Sequence, residues 1–529
     1  MKKRRILVYL LLLAISTSDA QIYKLFRYRT PSGIKPGVLN SSGKMMDVSL
    51  FTKDYDESFF SSDGISRLKQ WLVKNESKCK VLPARVDFAS PVARPSKIVA
   101  IGLNYLEHVR EGSGVVPSEP VIFMKSSTSM CGPNDTVLIP KNSLKTDYEV
   151  ELAIIIGKQA STITEQEASA YIAGYAIIND YSEREWQLER PANQWDKGKS
   201  ANTFAPIGPY LVTPEEVGDP HNLKIWLTVN GIQRQSSNTG DMIYKVSRLV
   251  SDISQYMTLL PGDVIATGTP SGVGLGSKPP KYLRPGDVVE LGIEKLGIQR
   301  QVIGSALKNY LTPNELKDYW DWVALGPGGL PNTLEGYRTV KTLEKQMKDP
   351  LDINRIVSAI DQPGDLKSLI DLPKRKGTKP VIAPYAIPHR QTDQHNDTLI
   401  RNLQKKIFDD QVADKNFNLI YKLSYLERHS PGIFIKDSAT GNQTVLPVSH
   451  AEVGHIHPTD GSMHLILSPS DTKEVIAKGW GELHGLSGQD RIAKTYTMIY
   501  SPRDQAELEV TKKILIAAVK YSSQPVKTP

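Results

Sequence analysis

Three acidic side chains stand out because they interrupt apolar sequence. Glu149 and Glu151 lie at the start of one apolar run, and Asp180 directly follows a second apolar run at 174–179. Both runs are typical of buried strands, and residues two apart on a strand point to the same face. The sequence therefore predicts that the carboxylates of Glu149 and Glu151 converge on one side of a strand, with Asp180 at the end of another strand nearby.

Carboxylates gathered in apolar surroundings need a neutralising partner. Burying like charges side by side costs free energy unless a cation or a proton neutralises them. Carboxylate oxygens are the ligands that Mg²⁺ and Mn²⁺ prefer. The pattern predicts a site for Mg²⁺ or Mn²⁺ on Glu149, Glu151 and Asp180. For Glu149 and Glu151 alone, the alternative is an edge strand with one face in water.

Four segments, taken together, resemble the fumarylacetoacetate hydrolase family, which includes acylpyruvate hydrolases. They are Glu149-x-Glu151, the segment 179–187 with Asp180, Arg184 and Gln187, the tripeptide 198–200, and the glycine-rich loop 268–274. The resemblance spans about residues 23–305. It implies a homodimeric, metal-dependent hydrolase that cleaves a C–C bond of an acylpyruvate or related 2,4-dioxo acid, such as a caffeylpyruvate-like compound, to a carboxylate and pyruvate.

Three further residues are candidates for catalysis. His108 and Glu111 are three apart on a short helical segment, so their side chains share a face and can hydrogen-bond, which would orient the imidazole. A solvated pair is the alternative. The family resemblance implies that His108 and Glu111 form a water-activating dyad and that Lys199 stabilises developing negative charge. A nucleotide loop around Lys199 is excluded, because Asn193 stands where that motif needs a glycine.

Substrate binding is predicted for Arg184, Gln187 and Thr269. Arg184 and Gln187 are also three apart, and together they could present a guanidinium and an amide to a planar carboxylate. An exposed helix with ordinary polar side chains is the alternative for this pair. The resemblance implies that these two residues and Thr269 contact the substrate.

Short apolar runs separated by turn residues, with few long helical periods, predict an α+β fold. The resemblance specifies a mixed, mostly antiparallel β-roll of the fumarylacetoacetate hydrolase type at 96–305, preceded by a small amino-terminal domain at 22–95. Glycine and proline residues within 306–335 predict a linker, and a separate α+β carboxy-terminal domain follows at 336–525.

The carboxy-terminal part resembles the luciferase-like domain related to fungal luciferases. The resemblance rests on the histidine-rich segment 454–465, on 478–484, on 500–503 and on 388–391. His455 and His457 would face the same way on a strand, and His464 could return on a paired strand as a third imidazole. These histidines are candidates either for a metal site or for hydrogen-bonded core groups.

Composition and the amino terminus restrict the class of protein. The 529 residues carry a formal net charge of +8, but the basic residues are scattered, which argues against nucleic-acid binding. Residues 1–20 have the basic, apolar and small-residue order of a signal peptide, too short for a stable membrane span. We therefore expect a secreted, lumenal or periplasmic protein, with an uncleaved membrane anchor as the alternative. Whether Cys79 and Cys131 pair is left open.

Two other functions fit the same residues. Oxaloacetate decarboxylation or oxo-acid isomerisation would need the metal site but less of the His108–Glu111 pair. A secreted binding protein without turnover would keep the metal site alone. A small-molecule oxo acid is the expected ligand in each case.

Overall fold

The computed structural model describes residues 23–112, 114–437, 441–489 and 492–525. The chain divides into two compact units, with the division between Asn309 and Tyr310. The signal peptide predicted at 1–20 lies outside the described residues. Within them, no helix combines the length and the apolar character that a membrane crossing requires. Cys79 and Cys131 are both free thiols.

The first unit is built mainly from strands. In chain order they are β1 (Lys24–Thr30), β2 (Gly33–Leu39), β3 (Met45–Asp47), β4 (Lys80–Val81), β5 (Phe88–Ala89), β6 (Ile98–Gly102), β7 (Val121–Lys125), β8 (Met130–Cys131), β9 (Val137–Ile139), β10 (Thr146–Asp147), β11 (Val150–Ile156), β12 (Ile172–Asn179), β13 (Ser182–Glu183), β14 (Ala205–Val212), β15 (Lys224–Val229), β16 (Ile232–Asn238), β17 (Val264–Ala266), β18 (Val288–Ile293) and β19 (Gly297–Ser305).

Its helices are short. They are α1 (Glu57–Ser61), α2 (Gly64–Asn75), α3 (Leu106–Glu111), α4 (Trp195–Lys199), α5 (Pro214–Val217) and α6 (Val246–Tyr256). Single helical turns of 3₁₀ type lie at Glu76–Lys78, Ser127–Ser129, Ala168–Tyr171, Thr239–Asp241, Gly274–Gly276 and Ala306–Asn309, and a π-helical turn lies at Glu185–Glu189.

Two mixed sheets hold the first unit together. The larger has the strand order β4-β3-β2-β1-β14-β12-β11-β17-β6-β7, and the second has the order β16-β15-β18-β19-β9. Most neighbouring strands are antiparallel, while β6 runs parallel to β17 and β9 parallel to β19. The α+β fold with a mixed, mostly antiparallel β-roll is therefore confirmed.

Strand β11 lies at the centre of this unit. It is buried along its whole length. Ala153 and Ile155 pack into the core that contains Leu68 and Leu72 of α2, and the strand also contacts β15 and β18 of the second sheet. Burial on both faces explains why this run is continuously apolar rather than alternating. The carboxylates of Glu149 and Glu151 at its start are likewise buried.

The predicted amino-terminal domain shares a sheet with the predicted catalytic domain. Lys24 and Leu25 of β1 pair with Val212 and Leu211 of β14. Residues 23–95 therefore belong to the same compact unit as 96–305. Such pairing across nearly two hundred residues leaves no local trace in the sequence.

The second unit packs helices against an antiparallel sheet, as the predicted separate α+β carboxy-terminal domain requires. Its helices are α7 (Pro313–Ala324), α8 (Leu334–Glu344), α9 (Thr398–Ala413), α10 (Leu446–Ser449), α11 (Pro469–Ala477) and α12 (Gln505–Ser523), with 3₁₀ turns at Ile353–Arg355 and Val357–Ala359. Its strands are β20 (Leu419–Leu423), β21 (Pro431–Ile435), β22 (Glu452–Ile456), β23 (Met463–Ile466), β24 (Gly481–Leu483) and β25 (Tyr496–Ile499), in the sheet order β20-β21-β22-β23-β25-β24.

The range 306–335, which the sequence predicts as a linker, contains α7 and the start of α8. The rings of Tyr319 and Trp322 on α7 are buried and contact Tyr337 on α8, with ring centroids 5.6 and 6.0 Å apart. Thr312 caps α7 with Glu315 in a capping box. Residues 310–335 fold as part of the second unit, whereas 306–309 belong to the first. The glycine and proline content did not reveal the aromatic packing of α7 against α8.

Candidate metal centre

The pairing of β11 with β12 brings the three predicted carboxylates together. Val150 pairs with Asn179, so the start of β11 lies beside the end of β12, and the Asp180 amide donates to the Glu149 carbonyl at 2.8 Å. Glu149, Glu151 and Asp180 each offer a carboxylate oxygen within 4.8 Å of the others. All three side chains are buried. The structure thus assembles a compact acidic site from the residues that the sequence singled out.

Two lysines face these carboxylates. Lys199 Nζ donates to Asp180 Oδ2 at 2.8 Å and also contacts Glu149 Oε2. Lys125 Nζ lies 2.5 Å from Asp180 Oδ1 and donates to the Tyr181 carbonyl at 3.1 Å. Lys125 is 1% exposed. The structure therefore places Lys125 in the site, against Asp180.

The environment treats Glu149 and Glu151 differently. Burial alone would raise the pKa of Glu149, but the charges of Lys199 and Arg184, with a contribution from His108, outweigh burial and lower it to about 2. Burial and the neighbouring carboxylates of Asp180 and Glu149 hold the pKa of Glu151 well above its usual range. Glu151 accepts a hydrogen bond from the Gly268 amide at 2.8 Å. Its carboxylate is the one that most needs a further cation.

Arg184 is engaged by protein groups in the structure. Its Nε donates to Asp147 Oδ2 at 2.9 Å, one terminal nitrogen donates to Glu149 Oε1 at 2.8 Å, and the other donates to Gln187 Oε1 at 3.0 Å. Both Arg184 and Gln187 are buried. These contacts favour a positioning role for Arg184, and direct binding of substrate by Arg184 and Gln187 stays a prediction.

Asp147 was not singled out as a functional residue by its sequence. It is fully buried, and besides Arg184 it accepts hydrogen bonds from the amides of Gly274 and Leu275 at 2.7 and 3.0 Å. It therefore joins the glycine-rich loop to the guanidinium beside Glu149. The sequence signal that could have identified Asp147 is its position two residues before Glu149.

Thr269 lies where the glycine-rich loop crosses β11. Its hydroxyl donates to the Val150 carbonyl at 3.0 Å and accepts from Gln235 Nε2 at 2.8 Å. Gln235 also accepts from the Val150 amide at 3.0 Å. Contact between Thr269 and substrate, which stays a prediction, would compete with the bond to Val150. Gln235 was not identified from the sequence.

His108 and Glu111 meet on α3 as predicted. Nδ1 of His108 lies 3.2 Å from Oε2 of Glu111, and Oε1 of Glu111 accepts from the Gly272 amide at 3.0 Å. Gly272 has a φ of +103°, and a Cβ there would lie 1.9 Å from the Arg234 carbonyl oxygen, so this close approach requires glycine. The dyad is thereby fixed to the loop that also donates to Glu151 through Gly268.

Comparison with known proteins assigns the first unit. Residues 97–304 match the family model for the fumarylacetoacetate hydrolase carboxy-terminal domain. A protein of Burkholderia multivorans, provisionally named a hydrolase, is 46% identical over 284 residues, which are 54% of this chain and 99% of the relative. The chain belongs to the fumarylacetoacetate hydrolase family. The suspected resemblance is confirmed.

Solved structures similar to this chain each cover about half of it. The fumarylacetoacetate hydrolase of Exiguobacterium antarcticum is 33% identical, with a TM-score of 0.45, and covers 54% of this chain and 99% of its own. The maleylpyruvate hydrolase of Sphingobium sp. SYK-6, solved with manganese(II) and pyruvate, is 27% identical, with a TM-score of 0.44, and covers 53% of this chain and 99% of its own. Residues 450–518 match a separate family model, described as a luciferase domain.

The predicted histidines of that second region are also brought together. Strand β22 pairs with β23 so that His455 lies opposite His464, and His457 follows directly after β22. His455, His457 and His464 each offer a ring nitrogen within 4.8 Å of the others. His389 and His484, which the sequence did not place in a site, join them in the structure.

Proposed function

We propose that the first unit is a divalent-metal-dependent hydrolase that cleaves a C–C bond of an acylpyruvate or related 2,4-dioxo acid. The observation that carries this proposal is the buried cluster of Glu149, Glu151 and Asp180. Membership of a family named for the hydrolysis of a dioxo acid supports the substrate class. A buried carboxylate such as Glu151, next to two others, fits a site for Mg²⁺ or Mn²⁺.

Glu149, Glu151 and Asp180 would hold the ion. When bound, the ion supplies Lewis acidity and an anchoring point for a 2-oxo acid. The ammonium groups of Lys125 and Lys199 balance the charges of Asp180 and Glu149. Because Lys199 bridges both carboxylates, its charge is fixed where negative charge would develop on the substrate, and it requires no reorganisation during the reaction.

The dyad supplies the base in this proposal. Since Glu111 accepts a hydrogen bond from Nδ1 of His108, Nε2 of His108 is left free to take a proton from water. The oxygen of that water would attack the acyl carbonyl carbon. The bond from this carbon to the methylene of the pyruvate part then breaks, its electron pair forms the enolate of pyruvate, and protonation of the enolate yields pyruvate beside the carboxylate.

Removal of divalent ions should abolish the proposed reaction. With an acylpyruvate as substrate, we expect release of pyruvate that stops after treatment with a chelator and returns when Mg²⁺ or Mn²⁺ is added back. A coupled lactate dehydrogenase assay measures the pyruvate. Pyruvate release that continues at the same rate without divalent ions would contradict the role of the three carboxylates.

Substitution His108→Gln should lower hydrolysis by about 10²–10⁴-fold, the usual contribution of a general base. Glu111→Gln should lower it in the same direction by disturbing the orientation of the imidazole. Glu107→Gln is a matched control, because Glu107 lies on the same helix and pairs with Arg110 at the surface. The assay is pyruvate release at saturating metal. Full hydrolysis by His108→Gln would contradict the role of His108 as the base. Loss of hydrolysis with retained decarboxylation or isomerisation of an oxo acid would favour those alternative activities.

A further inference from the structure

Five histidines of the second unit form one buried group. We call His389, His455, His457, His464 and His484 the histidine cluster, and each of their side chains is at most 5% exposed. The rings of His455 and His464 lie 5.4 Å apart between centroids, and the ring of His464 lies 4.8 Å from that of His457 and 5.3 Å from that of His389. None of these residues belongs to the fumarylacetoacetate hydrolase part of the chain.

The hydrogen bonds of His455 identify which of its ring nitrogens is free. Nδ1 lies 2.6 Å from Oε1 of Glu452, and a carboxylate only accepts, so Nδ1 carries the proton. In the neutral ring, Nε2 then bears a lone pair. This atom is buried and has no hydrogen-bond partner among the described residues. The side chain of His455 is among those that line a cavity of about 50 Å³. A carboxylate behind an imidazole whose other nitrogen is unpartnered is the arrangement common behind metal-binding histidines.

His457 is fixed in a similar way. Its Nδ1 lies 2.8 Å from Oγ of Ser462, and this hydroxyl donates its own proton to Asp460 Oδ2 at 2.8 Å. The hydroxyl must therefore accept from Nδ1, which leaves a lone pair on Nε2 of a neutral ring. That nitrogen nevertheless lies 3.0 Å from Oε1 of Glu427. Two acceptors facing each other repel unless a positive species lies between them.

A neutral His464 ring has one N–H, but each of its two nitrogens lies within hydrogen-bond distance of another histidine nitrogen. Nε2 of His389 donates to Glu482 Oε1 at 3.2 Å, so in a neutral His389 ring Nδ1 presents a lone pair to Nε2 of His464 at 3.1 Å. Nδ1 of His464 lies 3.0 Å from Nε2 of His457, which also presents a lone pair. A neutral imidazole has one N–H and can satisfy only one of these two neighbours. If Nε2 of His464 donates to His389, then Nδ1 of His464 carries a lone pair, as do Nε2 of His455 and Nε2 of His457.

We propose that the histidine cluster binds one divalent first-row transition-metal ion through His455, His457, His464 and Glu427. Imidazole-rich sites with a carboxylate favour ions such as Fe²⁺, Co²⁺ or Zn²⁺ over Mg²⁺. Glu452, the Ser462–Asp460 pair and His389 would orient the ligands from behind. The adjoining cavity, which His484 and Tyr496 also line, has room for a small ligand on the ion. This site is independent of the proposed hydrolase centre.

Cobalt is a suitable probe, because Co²⁺ bound to imidazole absorbs visible light. The full chain carrying Glu151→Gln, to weaken the carboxylate site, is freed of metal and titrated with Co²⁺. We expect one equivalent to bind with visible absorption and to raise the unfolding temperature. Further substitution of His455→Gln should weaken Co²⁺ binding by at least about 10²-fold, since changes in residues that only orient ligands already cost 10–100-fold. His395→Gln is the control, because His395 is exposed and outside the cluster.

X-ray absorption spectroscopy on the Co²⁺-loaded Glu151→Gln chain tests the ligands without any change to the cluster, so it remains decisive if His455→Gln fails to fold. Scattering from several imidazoles would support the proposal. A spectrum with oxygen ligands alone, failure to bind Co²⁺, or equal binding by a folded His455→Gln variant would overturn it. In those cases the cluster is a proton-sharing core network. Loss of pyruvate release in Glu151→Gln with retained Co²⁺ binding would separate this site from the hydrolase centre.

Discussion

Substitution Glu151→Gln is expected to lower kcat/KM for an acylpyruvate by at least about 10²-fold, because it removes a direct ligand where orienting residues alone are worth 10–100-fold. The metal-free protein should nevertheless be as stable as the wild type or more stable. Burial and the carboxylates of Asp180 and Glu149 raise the pKa of Glu151, so a neutral amide of the same shape relieves repulsion. Pyruvate release and thermal unfolding in the presence of chelator measure the two effects.

The control for Glu151→Gln is the same substitution at a carboxylate outside the site. Glu165 is exposed, and Glu165→Gln should change neither activity nor stability. If Glu151→Gln kept full activity at limiting metal, Glu151 would not be a ligand. Strong destabilisation of the metal-free protein by Glu151→Gln would contradict the repulsion that we assign to the Glu151 carboxylate.

Substitution Glu149→Gln, two residues away, is expected to destabilise the metal-free first unit by roughly 3–5 kcal/mol, the usual cost of leaving buried charged partners uncompensated. Arg184 and Lys199 both donate to the Glu149 carboxylate, and all three side chains are buried. Hydrogen–deuterium exchange in peptides that cover β11 and β12 measures the change for this unit alone. Equal protection in Glu149→Gln and Glu151→Gln would contradict the different roles assigned to these residues.

The destabilisation should depend on pH in a defined direction. The pKa of Glu149 is lowered from 4.5 to about 2 in the folded chain, so its contribution to stability is fully present above about pH 4.5 and is lost as pH falls towards 2. The difference between wild type and Glu149→Gln should therefore shrink over this acid range. A difference that grew on acidification would show that Glu149 is not held in its charged form by Lys199 and Arg184.

Much of the first unit could be predicted from local pattern. The short helical segment with His108 and Glu111 is observed as α3, and the two apolar runs next to the acidic residues are observed as β11 and β12. The domain boundaries were harder to predict. Strand β1 joins a sheet with β14, and α7 packs in the second unit, because sheet pairing and aromatic packing depend on partners distant in sequence.

At the candidate metal centre, too, local pattern predicted some residues and missed those whose roles depend on distant segments. Glu149, Glu151 and Asp180 could be identified because two-residue spacing on a strand and a position at a strand end are local properties. The burial of Lys125 against Asp180 and the joining of Arg184 to the glycine-rich loop through Asp147 could not, since they depend on which loops meet at the edge of the sheet.

By itself, the sequence determined that the chain carries three acidic residues at the ends of two apolar runs, a His–Glu pair on a short helix, and two histidines two residues apart in a later segment. Only the tertiary structure decided which charged side chains form ion pairs with each other. Tertiary packing places Arg184 and Lys199 against Glu149, whereas Glu151 forms no ion pair within the part of the chain that the structure describes. It also brings His389 to His464 across 75 residues of sequence. The physical reason is that side-chain direction along a strand is set locally, whereas charge balance in a buried site is set by every segment that packs around it.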